Sequence, residues 1–132
     1  MTRGWSRTCS RCSASELTPA QFAAVYEEGY PQGLRFTVAY DAGGTAVGVA
    51  GWRVIATTVA LRKLYVDDLV TAETARSTGV GAVLLAELTE RARAAGCTVV
   101  DLDSALHRAD AHRFYLRERM PIVSFHFAKR LR

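Results

Sequence analysis

The stretch Arg76-Ser77-Thr78-Gly79-Val80-Gly81 decides how the fold of this chain is interpreted. It follows an apolar run, residues 60–71, that predicts a β-strand, and it precedes an apolar stripe at helical spacing. At the start of such a helix several backbone N–H groups have no partner inside the helix, and the helix dipole is positive there. The glycines allow a close approach to the backbone, Arg76 adds a cation, and Ser77 and Thr78 can add hydroxyl donors. The stretch therefore predicts an anion site suited to a phosphate.

The spacing of Gly79 and Gly81 is weak evidence when it stands alone, because two glycines can also merely shape a loop. No Gly-Lys-Ser or Gly-Lys-Thr is present, so the stretch is not a Walker loop. The dinucleotide fingerprint is excluded as well, since it needs three glycines and a later acidic residue. The elements predicted on either side must therefore show whether the stretch is an anion site or only a loop.

Apolar periodicity predicts secondary structure on both sides of this stretch. The expected helices cover residues 18–28, 80–95 and 110–119, and the expected strands cover 34–41, 46–54, 60–71, 97–102 and 122–128. Gly48 and Gly51 in the second strand indicate a bulge or a close backbone approach. Antiparallel strands followed by a strand–helix–strand unit with parallel neighbours predict one mixed sheet in a three-layer α/β/α domain of the α+β class.

Length and composition indicate one folded domain, because 132 residues is an ordinary domain size and 49% of the residues are apolar. We expect this domain to cover residues 16–132. Residues 1–15 hold three arginines, many Ser and Thr and no strand pattern, so they are predicted to be a flexible N-terminal tail. No repeat or linker divides the chain.

The net charge of +4 comes mainly from scattered arginines, whereas nucleic-acid-binding proteins concentrate their charge in a patch. We therefore expect no nucleic-acid partner. No apolar run approaches the roughly 20 residues of a membrane span, and the first residues lack a secretory signal. Three cysteines argue for a reducing compartment. The chain is expected to be a soluble, cytoplasmic protein with no membrane contact.

No metal site is expected. Cys9 and Cys12 supply only half of a four-ligand zinc site, and the role of this pair stays open. His107 and His112 are five residues apart, so they lie on different helix faces and are expected at the surface or in packing. His126 alternates with Phe125 and Phe127, which predicts that it faces away from them at an edge or an interface.

The pattern Arg-x-x-Gly-x-Gly between a strand and a helix resembles the GCN5-related N-acetyltransferase family, or GNAT family. Asp68-Leu69-Val70-Thr71 resembles the strand end that precedes this turn in the family, and residues 111–115 resemble its Ala-x-x-Phe-Tyr helix. Order and spacing are similar over residues 34–128. The chain departs from the family at Arg108, where many members carry Asn, and at Arg119, where Gly is usual. Residues 1–15 do not resemble the family's first strand, so we expect that strand to be absent, altered or replaced.

The resemblance implies a splayed sheet of acyl-CoA N-acyltransferase topology and acetyl-CoA as the acyl donor. Residues 76–81 would then hold the pyrophosphate of the cofactor, and Phe114 would also contact the cofactor. The pantetheine arm would pair like an added strand with the backbone of Leu69, Val70 and Thr71, which the splay would leave free. Family members commonly dimerise, so a homodimer is among the partners that the resemblance allows.

Acetyl transfer needs a neutral amine, an acceptor for its proton and an acid for the departing thiolate. The resemblance implies Tyr115 as that acid, although a buried tyrosine can be only a core residue. Asp68, or Asp67 through a water, could accept the proton; the alternative is that one carboxylate pairs with an arginine. Since strand residues alternate between faces, at most one of the two is expected to face the cleft.

The sequence therefore predicts an acyltransferase that moves an acetyl group from acetyl-CoA to a primary amine of a small molecule or a protein. A catalytically silent acyl-CoA-binding module and a small basic nucleic-acid-binding domain are the alternatives. No motif identifies the acceptor amine. Tyr30, Trp52 and Tyr65 could line its site, and they could equally be core residues.

Overall fold

Five strands and three α-helices make up the computed structural model, which describes the backbone of residues 5–7 and all of residues 17–132. The elements in chain order are β1 (Trp5–Arg7), α1 (Pro19–Gly29), β2 (Arg35–Tyr40), β3 (Ala46–Thr57), β4 (Leu61–Ala72), α2 (Val80–Ala94), β5 (Val99–Leu102) and α3 (Ala109–Arg117). Short 3-10 turns cover Tyr30–Gln32 and Glu73–Ala75. Residues 1–4 and 8–16, with Cys9 and Cys12, lie outside this description.

The sheet is mixed and splayed about β4. Strands β2, β3 and β4 are consecutive antiparallel neighbours. The other edge of β4 is shared: β5 runs parallel to Lys63–Val66, and β1 runs antiparallel to Val70–Ala72. The predicted mixed, splayed sheet is therefore confirmed.

Helix α1 covers one face of the sheet. It begins with a capping box, in which Thr18 Oγ1 accepts from the Gln21 N–H and the Gln21 side chain accepts from the Thr18 N–H. Further along α1, the rings of Phe22 and Tyr26 lie 5.5 and 5.8 Å from the ring of Phe36 in β2. These aromatic contacts attach α1 to the sheet.

Helices α2 and α3 cover the opposite face, which completes the predicted α/β/α layers. The core lies on this side and consists of Ala50, Leu64, Val66, Leu69, Leu84, Leu88, Ala92, Ala111 and Tyr115. A Cβ placed on Gly48 would stand only 2.6 Å from Cγ1 of Val80. Glycine at position 48 therefore lets the first turn of α2 lie directly on β3, as the sequence indicated.

Two sequence-based expectations about the ends of the chain are wrong. Residues 1–15 are predicted to be a flexible tail, yet Trp5–Arg7 pairs with β4. A last strand is predicted over residues 122–128, but residues 120–132 adopt no helix or strand. Alternating apolar residues favour a strand, but a strand forms only where a second edge accepts its backbone hydrogen bonds. Within residues 17–132 no such edge pairs with this segment.

The end of α3 explains why glycine is usual at position 119. The N–H of Met120 donates to the carbonyl of Tyr115, and the N–H of Arg119 donates to the carbonyl of Leu116. These two bonds form a Schellman motif, which needs a left-handed residue after the helix. Arg119 takes that conformation with φ of 63°.

Replacing Arg119 by Gly is expected to raise the free energy of unfolding by about 0.5 to 1 kcal/mol, because glycine adopts positive φ without the Cβ clash. Chemical denaturation monitored by circular dichroism measures the change. Arg117→Gly is the matched control: it lies inside the helix and should lower stability by about 1 kcal/mol. A loss of stability in Arg119→Gly would contradict this description of the helix end.

Candidate functional site

The turn between β4 and α2 holds an unusual backbone conformation. Ser77 has φ of 60° and Gly79, the N-cap residue of α2, has φ of 87°. Glycine takes positive φ freely, but a left-handed serine costs about 1 to 2 kcal/mol. Strain of this kind concentrates at ligand sites.

The first amides of α2 point to open space. Gly79 provides no side-chain cap, and a Cβ placed on it would meet nothing within 4 Å. Among residues 17–132, the N–H groups of Val80, Gly81 and Ala82 donate to no acceptor, as expected for the first turn of a helix. These donors and the positive end of the helix dipole have the chemistry that suits an anion.

The remaining residues of the turn differ in what they can contribute. Arg76 and Ser77 lie exposed beside the amides. The hydroxyl of Thr78 donates to the carbonyl of Ala75, and its predicted role in binding the cofactor stays a prediction. That bond braces the turn. Gly81 serves packing, because a Cβ there would stand 3.3 Å from Cζ of Phe114.

The end of β4 lies close to this turn and is buried. Leu69 and Val70 are completely buried, and Thr71 is 6% exposed. Val70 and Thr71 pair with β3 on one edge and with β1 on the other. The expectation that the splay leaves their backbone free is therefore wrong. A ligand arm that paired with this edge would have to replace β1.

A β-bulge governs the two neighbouring carboxylates. The pairing passes from Gly51–Asp68 to Trp52–Val66, so Asp67 is the extra residue. Arg53 donates to both carboxylate oxygens of Asp67, at 2.9 and 3.1 Å. A carboxylate oxygen of Asp68 lies 3.4 Å from the position of a Cβ on Gly51.

Both carboxylates therefore lie on the α1 side of the sheet. Gly51 and Arg53 occupy the same face of β3, two residues apart, and each stands beside one of the acids. The expectation that at most one of Asp67 and Asp68 faces this side is wrong, since the bulge interrupts the alternation. Asp67 forms an ion pair with Arg53, which is the alternative that the sequence analysis gave for one of the two acids.

A charged cavity opens on the same face, with a volume of about 400 Å³. Its lining residues are Arg53, Ile55, Lys63, Tyr65, Asp67, Asp103 and His126. The Tyr65 hydroxyl donates to Asp103 over 2.7 Å, and Nδ1 of His126 lies 3.4 Å from the other oxygen of Asp103. Of the three aromatic residues that the sequence offered for an acceptor site, Tyr65 lines this cavity.

The sequence reasoning missed most of this cavity. Trp52 and Tyr30 do not line the cavity. Trp52 faces α2, where the guanidinium of Arg91 lies 5.7 Å from the centre of its ring. The guanidinium of Arg35 stacks on the ring of Tyr30, 3.7 Å from its centre. The available signal was the alternation of polar residues at positions 63, 65 and 67 of a buried strand. In the structure, these three side chains lie on the face of β4 that lines the cavity.

Tyr115 is 5% exposed and packs in the core that also contains Val66 and Leu69 of β4. Its ring lies 5.3 Å from that of Phe114, edge to face. The fold thus brings the Phe-Tyr pair of α3 against the start of α2 and the splayed part of β4. His112 has the expected packing role, with Nε2 2.8 Å from the carbonyl of Ala105.

In residues 17–132, no three His, Cys, Asp or Glu side chains group closely enough to hold a metal ion. No helix in the part of the chain that the structure covers combines the length and the apolar character of a membrane span.

Comparison with curated proteins finds two N-acetyltransferases. The chain is 41% identical over 66 residues to an aminoalkylphosphonate N-acetyltransferase of Salmonella typhimurium, covering 50% of this chain and 43% of that protein. It is 50% identical over 52 residues to an uncharacterized N-acetyltransferase, YhdJ, of Bacillus subtilis, covering 39% and 37%. The matched segment is thus less than half the length of either relative.

Solved structures share the fold at low identity. An acetyltransferase of Trypanosoma brucei superposes with a TM-score of 0.65 at 23% identity, covering 92% of this chain and 84% of that one. Glucosamine-6-phosphate N-acetyltransferase of Arabidopsis thaliana superposes with a TM-score of 0.69 at 18% identity, covering 90% and 82%. The model of the acetyltransferase (GNAT) family matches residues 3–119. The chain belongs to the GNAT acetyltransferase family.

Proposed function

We propose that the chain is an N-acetyltransferase that moves the acetyl group of acetyl-CoA to a primary amine by direct attack. The observation that carries this proposal is the uncapped start of α2, where amides face open space at Gly79. A pyrophosphate offers anionic oxygens that suit these donors. The names of both curated relatives support the reaction type.

The turn would hold the pyrophosphate through the N–H groups of Gly79, Val80 and Gly81. Arg76 and Ser77, both exposed at the turn, would add a charge and a hydroxyl donor. The arm of the cofactor would follow β4 at Leu69, Val70 and Thr71 in the place of β1, and Phe114 would complete the wall beside α2. The bound group supplies an activated thioester carbonyl.

Two side chains would carry out the proton transfers of the reaction, one as acceptor and one as donor. The C–N bond forms as the C–S bond breaks, the amine gives up a proton and the sulfur takes one. Asp68 is the proposed acceptor, because its carboxylate lies beside Gly51 on the α1 side of the sheet, the side on which the charged cavity opens. Tyr115 is the proposed donor to sulfur, since α3 brings it against β4 beside Leu69.

The charged cavity is the proposed acceptor site. It lies on the side of the sheet that carries Asp67 and Asp68, and its lining includes cations at Arg53 and Lys63 and an anion at Asp103. Groups of both signs suit a small molecule that carries an amine and an anionic group. The substrate class in the name of the Salmonella relative, an aminoalkylphosphonate, has this chemistry.

One observation favours the alternative of a catalytically silent acyl-CoA-binding module. Strand β1 occupies the edge at Val70 and Thr71 that the arm would use. Both functions would use the turn, but only the enzyme releases CoA thiol in proportion to added amine. A thiol-release assay with aminoalkylphosphonates, amino acids, polyamines and peptides distinguishes them.

Replacing Gly79 by Trp should abolish the binding of acetyl-CoA, measured by isothermal titration calorimetry. The indole ring would stand in the open space in front of the α2 amides and block them. We expect a loss of affinity of at least 100-fold, about 2.7 kcal/mol.

Gly44→Trp is the matched control for this variant. Gly44 has φ of 81° and a Cβ there would also meet nothing within 4 Å, but it lies in the β2–β3 turn. The backbone strain is therefore similar, and affinity should be unchanged. Equal affinities in the two variants would rule out the α2 turn as the pyrophosphate site.

Removing the proposed proton-transfer groups should lower kcat while leaving the affinity for acetyl-CoA nearly unchanged. We expect a decrease of about 100-fold for both Tyr115→Phe and Asp68→Asn, the lower end for general acid–base catalysis. Thiol release with the best amine of the panel gives kcat, and calorimetry gives the affinity.

Tyr40→Phe and Asp67→Asn are the controls for these two variants. Tyr40 is 64% exposed on β2 and should not affect kcat. Asp67 lines the proposed acceptor site, so Asp67→Asn should raise the KM for the amine more than it lowers kcat. Wild-type turnover in Tyr115→Phe would remove that residue from the mechanism, and a larger kcat effect at Asp67 than at Asp68 would reverse the assignment of the base.

A further inference from the structure

Arg53 is held in the charged cavity by an ion pair that uses one edge of its guanidinium. Nε and Nη2 donate to the two carboxylate oxygens of Asp67, at 2.9 and 3.1 Å. A guanidinium has five N–H donors, so its end edge, formed by Nη1 and the outer N–H of Nη2, can bind a second oxyanion with two parallel hydrogen bonds. The contact with Asp67 therefore fixes the orientation of Arg53 without using its end edge.

The end edge of Arg53 makes one weak contact with the rest of residues 17–132. Nη1 lies 3.5 Å from Oε1 of Gln32, which belongs to the exposed 3-10 turn after α1. A hydrogen bond of this length is weaker than the two bonds to Asp67. The Arg53 side chain is 24% exposed and lines the cavity. An oxyanion that entered the cavity would replace the contact with Gln32 by a stronger, charge-assisted one.

Arg53 lies a short distance from Asp68, the proposed proton acceptor. Gly51, which stands beside Asp68, and Arg53 are two residues apart on the same face of β3, about 7 Å along a strand. Asp67, to which Arg53 is bound, is also the chain neighbour of Asp68. Three single bonds of about 1.5 Å span roughly 4 Å, and one hydrogen bond of about 2.9 Å covers the remainder. An amine and an oxyanion that are one or two carbons apart match this spacing.

Lys63, the lysine that lines the same cavity, does not fit a short acceptor. It lies four residues before Asp67 on β4, about 13 Å along the strand. Its ammonium donates to Asp101 at 2.9 Å and lies 5.5 Å from the centre of the Tyr65 ring. A short molecule with its amine at Asp68 would not reach Lys63. The two cations of the cavity therefore predict different lengths of acceptor.

We propose that the end edge of Arg53 binds the anionic group of the acceptor and selects primary amines with a carboxylate or a phosphonate one or two carbons away. The inference rests on the proposed function for the reaction, and on the ion pair with Asp67 for the binding site. Opposite charges would then alternate, with the amine at Asp68 and the oxyanion at Arg53. Asp67 is a positioning residue, because it holds the guanidinium in place before the acceptor arrives.

Thiol release with matched acceptors tests this selection. 2-Aminoethylphosphonate and β-alanine carry an oxyanion two carbons from the amine, propylamine lacks the charge, and 5-aminopentanoate carries its carboxylate four carbons away. At least one of the two short oxyanionic acceptors should have a KM about tenfold or more below those of propylamine and 5-aminopentanoate. The one with the lower KM identifies the oxyanion that the site takes. A KM for both that is no lower than that of propylamine overturns the proposal.

Substitution of Arg53 should remove the preference for the oxyanion. We expect Arg53→Gln to raise the KM of the preferred acceptor about tenfold or more, with kcat and the KM of propylamine nearly unchanged. Arg53→Lys keeps the charge but loses the planar edge, so it should also raise that KM. Arg62→Gln is the matched control. Arg62 lies on β4 and donates to the carbonyl of Ala95 outside the cavity, so its KM values should equal those of the wild type.

Asp67→Asn tests the positioning role. Loss of the carboxylate weakens the hold on the guanidinium, so the KM of the preferred acceptor should rise while that of propylamine stays the same. A general disturbance of the cavity would raise both KM values by the same factor, and that result would overturn the positioning role.

Binding without reaction separates this site from acetyl transfer. Methylphosphonate and acetate carry the oxyanion but no amine, so the isotopically labelled chain can be titrated with each while backbone amide shifts are recorded. The amides of Arg53 and of Tyr65, its partner on β4, should shift saturably with at least one of them. Arg53→Gln should raise the dissociation constant about tenfold or more.

The two proposals can fail separately. If none of the amines releases CoA thiol and these anions still bind at Arg53, the proposed acetyl transfer is wrong and the anion site stands. If amines are acetylated but neither anion binds the wild type saturably, or if Arg53→Gln leaves the binding intact, the anion site is wrong and the acetyl transfer stands.

Discussion

The contact between the start of α2 and the beginning of β3 is the constraint on which the site depends. Gly48 brings Val80 and Leu84 onto the sheet, where any larger residue would collide with both side chains. The largest fully buried side chains all come from β4 and α2: Leu64, Val66, Leu69, Val70, Leu84 and Leu88. Truncating one such leucine to alanine typically costs about 2 to 5 kcal/mol. Strong packing therefore fixes the position of the α2 amides relative to the end of β4.

The bulge in β4 is the second determinant. By adding Asp67 to the ladder, it turns two consecutive carboxylates to the α1 side, away from the core that Val66 and Leu69 enter. The polar face continues through Tyr65 and Lys63 to Asp101 of β5 and to Asp103, which follows that strand. One strand thus builds the apolar core with one face and a charged cavity with the other.

The helices, the middle strands and the turn before α2 were predictable from the sequence, because they depend on local periodicity and on glycine at defined positions. The apolar stripe of residues 80–95 is a local property of the sequence and does not depend on distant partners. The structure confirms this helix as α2, Val80–Ala94. The turn was found from its pattern, and its left-handed Gly79 fits the expected backbone conformation.

The remaining features depend on partners far apart in sequence. The bulge at Asp67 arises from the register with β3, and nothing local distinguishes it from plain alternation. Strand β1 exists through pairing with β4, and the segment after Pro121 fails to form a strand because no described edge pairs with it. The bond from Thr78 to Ala75 likewise depends on how the turn closes.

The central claim is that the first amides of α2 hold the pyrophosphate of acetyl-CoA. Titrating the isotopically labelled chain with CoA, while recording backbone amide chemical shifts, tests it most directly. The amides of Gly79, Val80, Gly81 and Ala82 should show the largest changes, because their N–H groups gain acceptors. Saturable binding that leaves these four amides unchanged and shifts others would contradict it.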